Sequence, residues 1–185
     1  MRISTYLLPS LFLACNSNSS TETSGKDAVI HTTKHASPKV DDFANKSFLC
    51  CDTPEATILL QRYLDLTSAM AADSDAKTKE AVIALDAHMH TSEFSALPWV
   101  TEVQELQQAS AYWKTLPRED IQQDFASASQ AMVTFAQKHK ATQTDATIQV
   151  IAAFCPMAPG RWIQTEKELR NPYYGSKMLT CGVFE

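Results

Sequence analysis

The residues of this sequence best suited to specific chemistry are four sulfur-bearing side chains near its C-terminal end. Cys155 and Met157 form a Cys-x-Met motif, and Met178 and Cys181 form a Met-x-x-Cys motif. Thiolates and thioethers are soft ligands, and together they select Cu(I) or a similar soft ion over magnesium, calcium or manganese. If the two motifs meet in space, their four sulfur atoms can converge on one ion without any histidine.

A disulfide between Cys155 and Cys181 is the competing interpretation. Two cysteines in an oxidising extracytoplasmic compartment tend to pair. The bond would close a loop of about 26 residues and contribute roughly 3 to 4 kcal/mol to stability. Met157 and Met178 would then only fill space in the core. The residues alone leave open the metal site, the disulfide and two unlinked buried thiols.

Other soft or basic side chains form weaker candidates for a site. Cys50 and Cys51 are adjacent in the sequence, and bridging neighbours requires a strained eight-membered ring, so we expect no disulfide between them. As free thiols they could capture a soft ion or pack as apolar side chains. His88 and His90 are two residues apart and point to different faces of a helix, so no two-histidine site is expected there.

The motifs of common enzyme classes are missing from the sequence. It contains no nucleophile elbow, no glycine-rich phosphate loop, no His-Glu-x-x-His and no paired Cys-x-x-Cys. We therefore predict a non-enzymatic protein and identify no small-molecule substrate. The formal net charge of −5 argues against nucleic acid as a partner, because binding to phosphates needs concentrated positive charge.

Four amphipathic segments predict the scaffold that must position the sulfur atoms. Thr53 is a suitable N-cap and Pro54 a suitable first residue for a helix over about 54–70. Apolar residues then recur at three- and four-residue steps in each segment. The other three segments cover about 75–90, 101–115 and 121–135. Short connections between four such helices predict a mainly α fold, an up-and-down four-helix bundle.

The pattern changes after Lys140. Residues 147–154 are rich in β-branched side chains and have the length of a strand. Strong turn signals follow at Pro159-Gly160 and at 171–175. The sequence therefore predicts a small, turn-rich C-terminal β-hairpin segment that carries both sulfur motifs.

The first fifteen residues have the features of an export signal that ends in a lipidation site. A single Arg2 precedes about a dozen mostly apolar residues, too few to span a bilayer at roughly 1.5 Å per residue. Ala14 stands before Cys15, as in a bacterial lipobox, where the cysteine receives the lipid. We predict a lipoprotein signal peptide over 1–14, a flexible linker over 15–50 and a helical domain over 51–185. The linker histidines His31 and His35 are expected to be solvated.

The C-terminal residues also resemble a known family. The strings Cys155-Pro156-Met157-Ala158, Trp162, Arg170-Asn171-Pro172-Tyr173-Tyr174-Gly175 and Met178-Leu179-Thr180-Cys181-Gly182 are similar to the closing signature of domain of unknown function 3347. The upstream helices resemble it as well, over Tyr63 to Met70 and Phe125 to Ser129. The resemblance covers about 55–184.

The resemblance implies a cellular context more than a mechanism. Domains of this family occur as small extracytoplasmic proteins, and also beside or fused to periplasmic adaptor proteins of copper and silver efflux pumps. This context favours Cu(I) or Ag(I) at Cys155, Met157, Met178 and Cys181, and an efflux adaptor protein as a partner. A scaffold module with a structural Cys155–Cys181 bridge stays the alternative. We expect a lipid anchor facing the periplasm, with the outer membrane favoured because Asn16 follows Cys15.

Overall fold

The first long helix begins where the sequence supplies a capping side chain. In the computed structural model, which describes residues 40–142, 147–158 and 160–185, Thr53 Oγ1 accepts a hydrogen bond from the Ala56 amide at 3.2 Å. Pro54 is the first helical residue, as predicted. The six α-helices of the described residues are α1 (Val40–Lys46), α2 (Pro54–Ala71), α3 (Asp75–Met89), α4 (Ser92–Ser95), α5 (Gln104–Trp113) and α6 (Arg118–Lys138).

The described part of the chain is mostly helical, in agreement with the predicted class. Helices α2, α3, α5 and α6 correspond to the four amphipathic segments, and Leu97-Pro98 lies between α4 and the 3-10 helix Val100–Val103. Helix α2 packs against α3, α3 against α5, α5 against α6, and α6 against α2. The largest fully buried side chains of the described residues are aromatic: Tyr63, Phe94, Trp113, Phe125, Phe135 and Trp162.

A small antiparallel sheet packs against the helices. Its strands are β1 (Phe48–Cys50), β2 (Ile148–Phe154), β3 (Arg161–Gln164) and β4 (Val183–Phe184). Strand β3 pairs with one side of β2. On the other side, β1 pairs with the first half of β2 and β4 with its last two residues. Strand β3 also packs against α6 and α2. Four consecutive residues of β2, from Val150 to Ala153, are buried, so the middle of this strand is covered on both faces.

The sheet is larger than the predicted C-terminal hairpin. Helix α1 and strand β1 fall within 15–50, the range that we predicted as linker, and β1 pairs with β2 through Phe48 and Val150. A three-residue strand is too short to show a period in the sequence, and its partner lies about a hundred residues further on. Within the described ranges, no helix combines the length and apolar character that a membrane span needs.

Candidate functional site

The pairing of β2 with β4 brings the two sulfur motifs together. Cys155 directly follows Phe154, the last residue of β2, and Cys181 stands two residues before β4. Because Phe154 pairs with Val183, the two cysteines lie at the same end of this strand pair. Their Sγ atoms are 2.6 Å apart, and both side chains are free thiols. The fold thus places two of the four sulfur atoms identified in the sequence next to each other.

The two thiols differ in their access to solvent. Cys155 is fully buried, whereas Cys181 is partly exposed. Burial and the hydrogen bond with Cys155 raise the pKa of Cys181 to about 11, against the opposing effect of the Met157 backbone N–H on the same sulfur. The Cys181 side chain is therefore a protonated thiol at neutral pH, and a cation that binds there must displace the proton.

The two methionines are linked to Cys181 through their backbones. The Met157 side chain is 63% exposed, and its backbone carbonyl accepts a 2.5 Å hydrogen bond from the Tyr174 hydroxyl. Met178 is half-buried, and its carbonyl accepts a hydrogen bond from the Cys181 amide at 3.0 Å. Met178 is thus tied to Cys181 by one tight turn, while Met157 presents its thioether to solvent.

Asn171 holds the turn that carries Cys181, and sequence reasoning did not identify it as a site residue. Its side chain is fully buried, donates to the Cys181 carbonyl at 3.1 Å and accepts from the Tyr173 amide at 2.9 Å. Its backbone N–H donates to the Leu179 carbonyl at 2.8 Å. A buried amide with all of these partners fixes the backbone around it. The turn signal at 171–175 predicted a turn at this position but not the hydrogen bonds that Asn171 makes.

A charged cluster anchors the same segment to the helices. The Asp73 carboxylate accepts hydrogen bonds from the Ser176 amide and from Arg118, both at 2.7 Å. The hydrogen bonds from Ser176, followed in effect by the Arg118 charge, lower the pKa of Asp73. Gly175 begins the 3-10 helix Gly175–Lys177 with a positive φ of 53°, directly against this carboxylate. The connection between α2 and α3 therefore positions the turn that leads to Met178.

Buried hydroxyl groups connect the sheet with α2 and α6. Tyr63 and Ser129 share a 2.6 Å hydrogen bond, and Ser129 donates to the Arg161 carbonyl at 2.7 Å. Tyr173 donates to the same carbonyl at 2.8 Å. Burial raises the pKa of Tyr63 well above its usual value and that of Tyr173 to about 12. Tyr173 is thus a packing residue rather than an exposed stacking surface for a ligand.

The expectation for the adjacent cysteines is wrong. Cys50 and Cys51 are joined by a disulfide, and both side chains are fully buried. The peptide bond between them is cis, with the Cα atoms 3.1 Å apart. The expectation rested on the strain of the eight-membered ring, and the structure closes that ring all the same. These sulfur atoms are therefore bonded to each other and do not offer thiolates to an ion.

The histidines near the end of α3 have separate environments, as their spacing predicted. His88 packs edge-on against Phe94, and burial lowers its pKa. His90 contacts Asp86 on its own helix. Across the described ranges, no group of three or more His, Cys, Asp or Glu side chains is arranged to hold a metal ion. Any ion at the thiol pair would thus need ligands other than these four residue types.

The predicted lipidation site Cys15 and the linker histidines His31 and His35 lie outside the described residues. No family model, characterised protein or solved structure matches this chain.

Proposed function

We propose that this chain is a non-enzymatic lipoprotein of the cell envelope that binds a soft metal ion, Cu(I) or Ag(I), and supports heavy-metal sequestration or efflux. The observation that carries the proposal is the contact between the Cys155 and Cys181 thiols, 2.6 Å apart, with one of them open to solvent. Two adjacent thiolates are strong ligands for these ions and poor ligands for hard cations.

Binding would replace two protons by one ion. The neutral thiols would become a bis-thiolate complex, and two protons would go to solvent. Sulfur atoms that share one ion lie about 3.5 to 4 Å apart, given metal–sulfur bonds of about 2.3 Å. Cys181 would therefore turn outward on loading, and Met157 or Met178 would complete the coordination. Because the pKa of Cys181 is raised, uptake should weaken as the pH falls.

The remaining parts of the proposal concern scaffold and location. We propose that α2, α3, α5 and α6 form an up-and-down bundle that keeps the C-terminal turns rigid, supported by the cyclic packing of these four helices. Lipidation at Cys15 would anchor the domain, with the periplasm as its environment and the outer membrane as the favoured site. An efflux-pump adaptor protein is the proposed partner, by the resemblance of the C-terminal motifs.

An anaerobic titration with Cu(I) against a chromogenic chelator tests the proposal. We expect one ion per chain, and a loss of affinity of at least about tenfold in C155S, C181S or M178A, since each removes a sulfur ligand. M132L is the matched control, because Met132 is a buried residue of α6 and leucine conserves its volume. Unchanged affinity in both cysteine variants would refute the site.

One observation favours a second candidate function. A sulfur separation of 2.6 Å is closer to a disulfide bond than to two ligands of one ion. Under this alternative the chain is a protein-interaction or scaffold module of the cell envelope, with a structural Cys155–Cys181 bridge and no metal. Counting free thiols on protein isolated from the periplasm separates the two: two free thiols and Cu(I) uptake support the metal site, whereas no free thiol and no uptake support the scaffold.

A further inference from the structure

The two cysteines of the site are chemically unequal because only one of them is accessible. Cys155 is fully buried in the core beside the end of β2, and Cys181 lies on a partly exposed turn. At 2.6 Å, the sulfur atoms need only a small shift to form a bond. Either sulfur of such a bond could in principle be attacked by an outside thiol, so access decides which one reacts.

Attack on a disulfide has a direction. A thiolate approaches one sulfur along the line of the sulfur–sulfur bond, and the other sulfur leaves. A thiolate that attacks Cys181 can come from solvent, with Cys155 leaving toward the core. A thiolate that attacks Cys155 would have to approach through the core, because the Cys155 side chain is fully buried.

We propose that Cys155 and Cys181 form an exchangeable disulfide that an external disulfide closes and an external dithiol opens at Cys181. Closure takes two electrons and two protons from the thiol pair and converts the external disulfide to thiols. In the first step, a thiolate of the dithiol bonds to Cys181 Sγ, and the Cys181–Cys155 bond breaks with its electron pair on Cys155, which takes up a proton. In the second step, the other thiolate of the dithiol attacks the dithiol sulfur that is bonded to Cys181. A disulfide forms within the dithiol, and Cys181 leaves as a thiolate and takes up a proton. The chain gains two electrons and two protons, and the dithiol becomes a disulfide.

The same geometry explains why the reductant should be a dithiol. After the first step, Cys155 remains beside the mixed disulfide and can close the original bond again at a high effective concentration. A monothiol completes the reduction only if a second monothiol molecule attacks the mixed disulfide before Cys155 closes the original bond again. A dithiol carries its second thiol with it, so the opening goes to completion.

Opening the bond would also control the metal site, a consequence that rests on the proposed function. The disulfide offers no thiolate to a cation, whereas the reduced pair offers two. The position of attack itself does not depend on metal binding, so it can be tested with a chelator present.

A trapping experiment identifies the attacked sulfur. The protein is oxidised with diamide, incubated with glutathione, quenched with iodoacetamide in guanidinium chloride so that buried thiols are also alkylated, and mapped by peptide mass spectrometry. We expect glutathione on Cys181 and the alkyl group on Cys155. Failure of this pair to form a disulfide, or glutathione on Cys155, would overturn the proposal.

The single variants C155S and C181S give a second measurement, which reclosure of the Cys155–Cys181 bond cannot affect. In C155S, Cys181 should acquire glutathione from glutathione disulfide at least about tenfold faster than Cys155 does in C181S, because access limits the reaction. In guanidinium chloride the two rates should agree within about twofold, since burial is then removed. Equal rates in the folded variants would contradict the assigned direction of attack, whatever the result of the Cu(I) titration.

Discussion

Replacing Gly175 by alanine tests whether the charged cluster determines the position of the Cys181 turn. Gly175 has a positive φ of 53°, and a Cβ atom at this position would overlap the Asp73 carboxylate. That carboxylate cannot easily move, because it accepts 2.7 Å hydrogen bonds from both Ser176 and Arg118. The alanine methyl group should therefore break these bonds or displace the turn.

The expected loss has two parts. A side chain in the left-handed region costs roughly 1 to 2 kcal/mol. Loss of the hydrogen bonds to Asp73 adds only about 1 to 2 kcal/mol. The loss is small because Arg118 retains a 2.7 Å hydrogen bond to Asp75. G175A should therefore lower the free energy of unfolding by about 2 to 4 kcal/mol.

A double-mutant cycle measured by urea denaturation separates these parts. D73G removes the carboxylate, so in that background G175A should cost only the backbone part, about 1 to 2 kcal/mol. T180A is the control, since Thr180 is an exposed residue of the same C-terminal segment and its substitution should change stability by less than about 0.5 kcal/mol. A cost for G175A below about 1 kcal/mol, or the same cost with and without Asp73, would refute the reasoning.

Two further predictions concern buried polar groups. Y63F removes the hydroxyl that contacts Ser129 at 2.6 Å and the Ile163 amide at 3.4 Å, so we expect a loss of about 1 to 3 kcal/mol in urea denaturation; an unchanged midpoint would contradict this. His88 has a lowered pKa because of burial and the nearby Arg62, so the unfolded chain binds the proton first as the pH falls below about 6.5. The free energy of unfolding should therefore decrease between about pH 7.5 and pH 5.5, and H88Q should decrease less; equal slopes would show that other groups dominate.

Patterns that are local in the sequence predicted four of the helices and one strand. The Thr53 cap, the Pro54 start and the apolar spacing of the four segments predicted α2, α3, α5 and α6, because helix ends and helix faces depend on residues within one or two turns. Strand β2 was also predicted, since seven residues suffice to show its character. Strand β1 was assigned to the linker, because its stability comes from a distant partner rather than from its own three residues.

The site was only partly predictable for the same reason. The sulfur motifs identified Cys155 and Cys181, but their separation depends on the pairing of β2 with β4, which no local pattern specifies. Asn171, Asp73 and the Tyr63 hydroxyl were missed because each acts through a partner far away in the sequence. The bond between Cys50 and Cys51 was missed because the prediction considered only the strain of the eight-membered ring.

The order of the cysteines along the chain has a consequence for oxidative folding. Cys50 can meet Cys51 as soon as both have been synthesised, whereas Cys155 meets Cys181 only after β4 has docked on β2. Four cysteines allow three pairings, and early closure between the neighbours leaves the later pair with no other partner among the cysteines at 50–181. We expect few scrambled isomers during refolding in air, even without an isomerase. Replacing both neighbours by serine should leave the yield of the later bond unchanged, whereas replacing only one should produce wrongly paired chains.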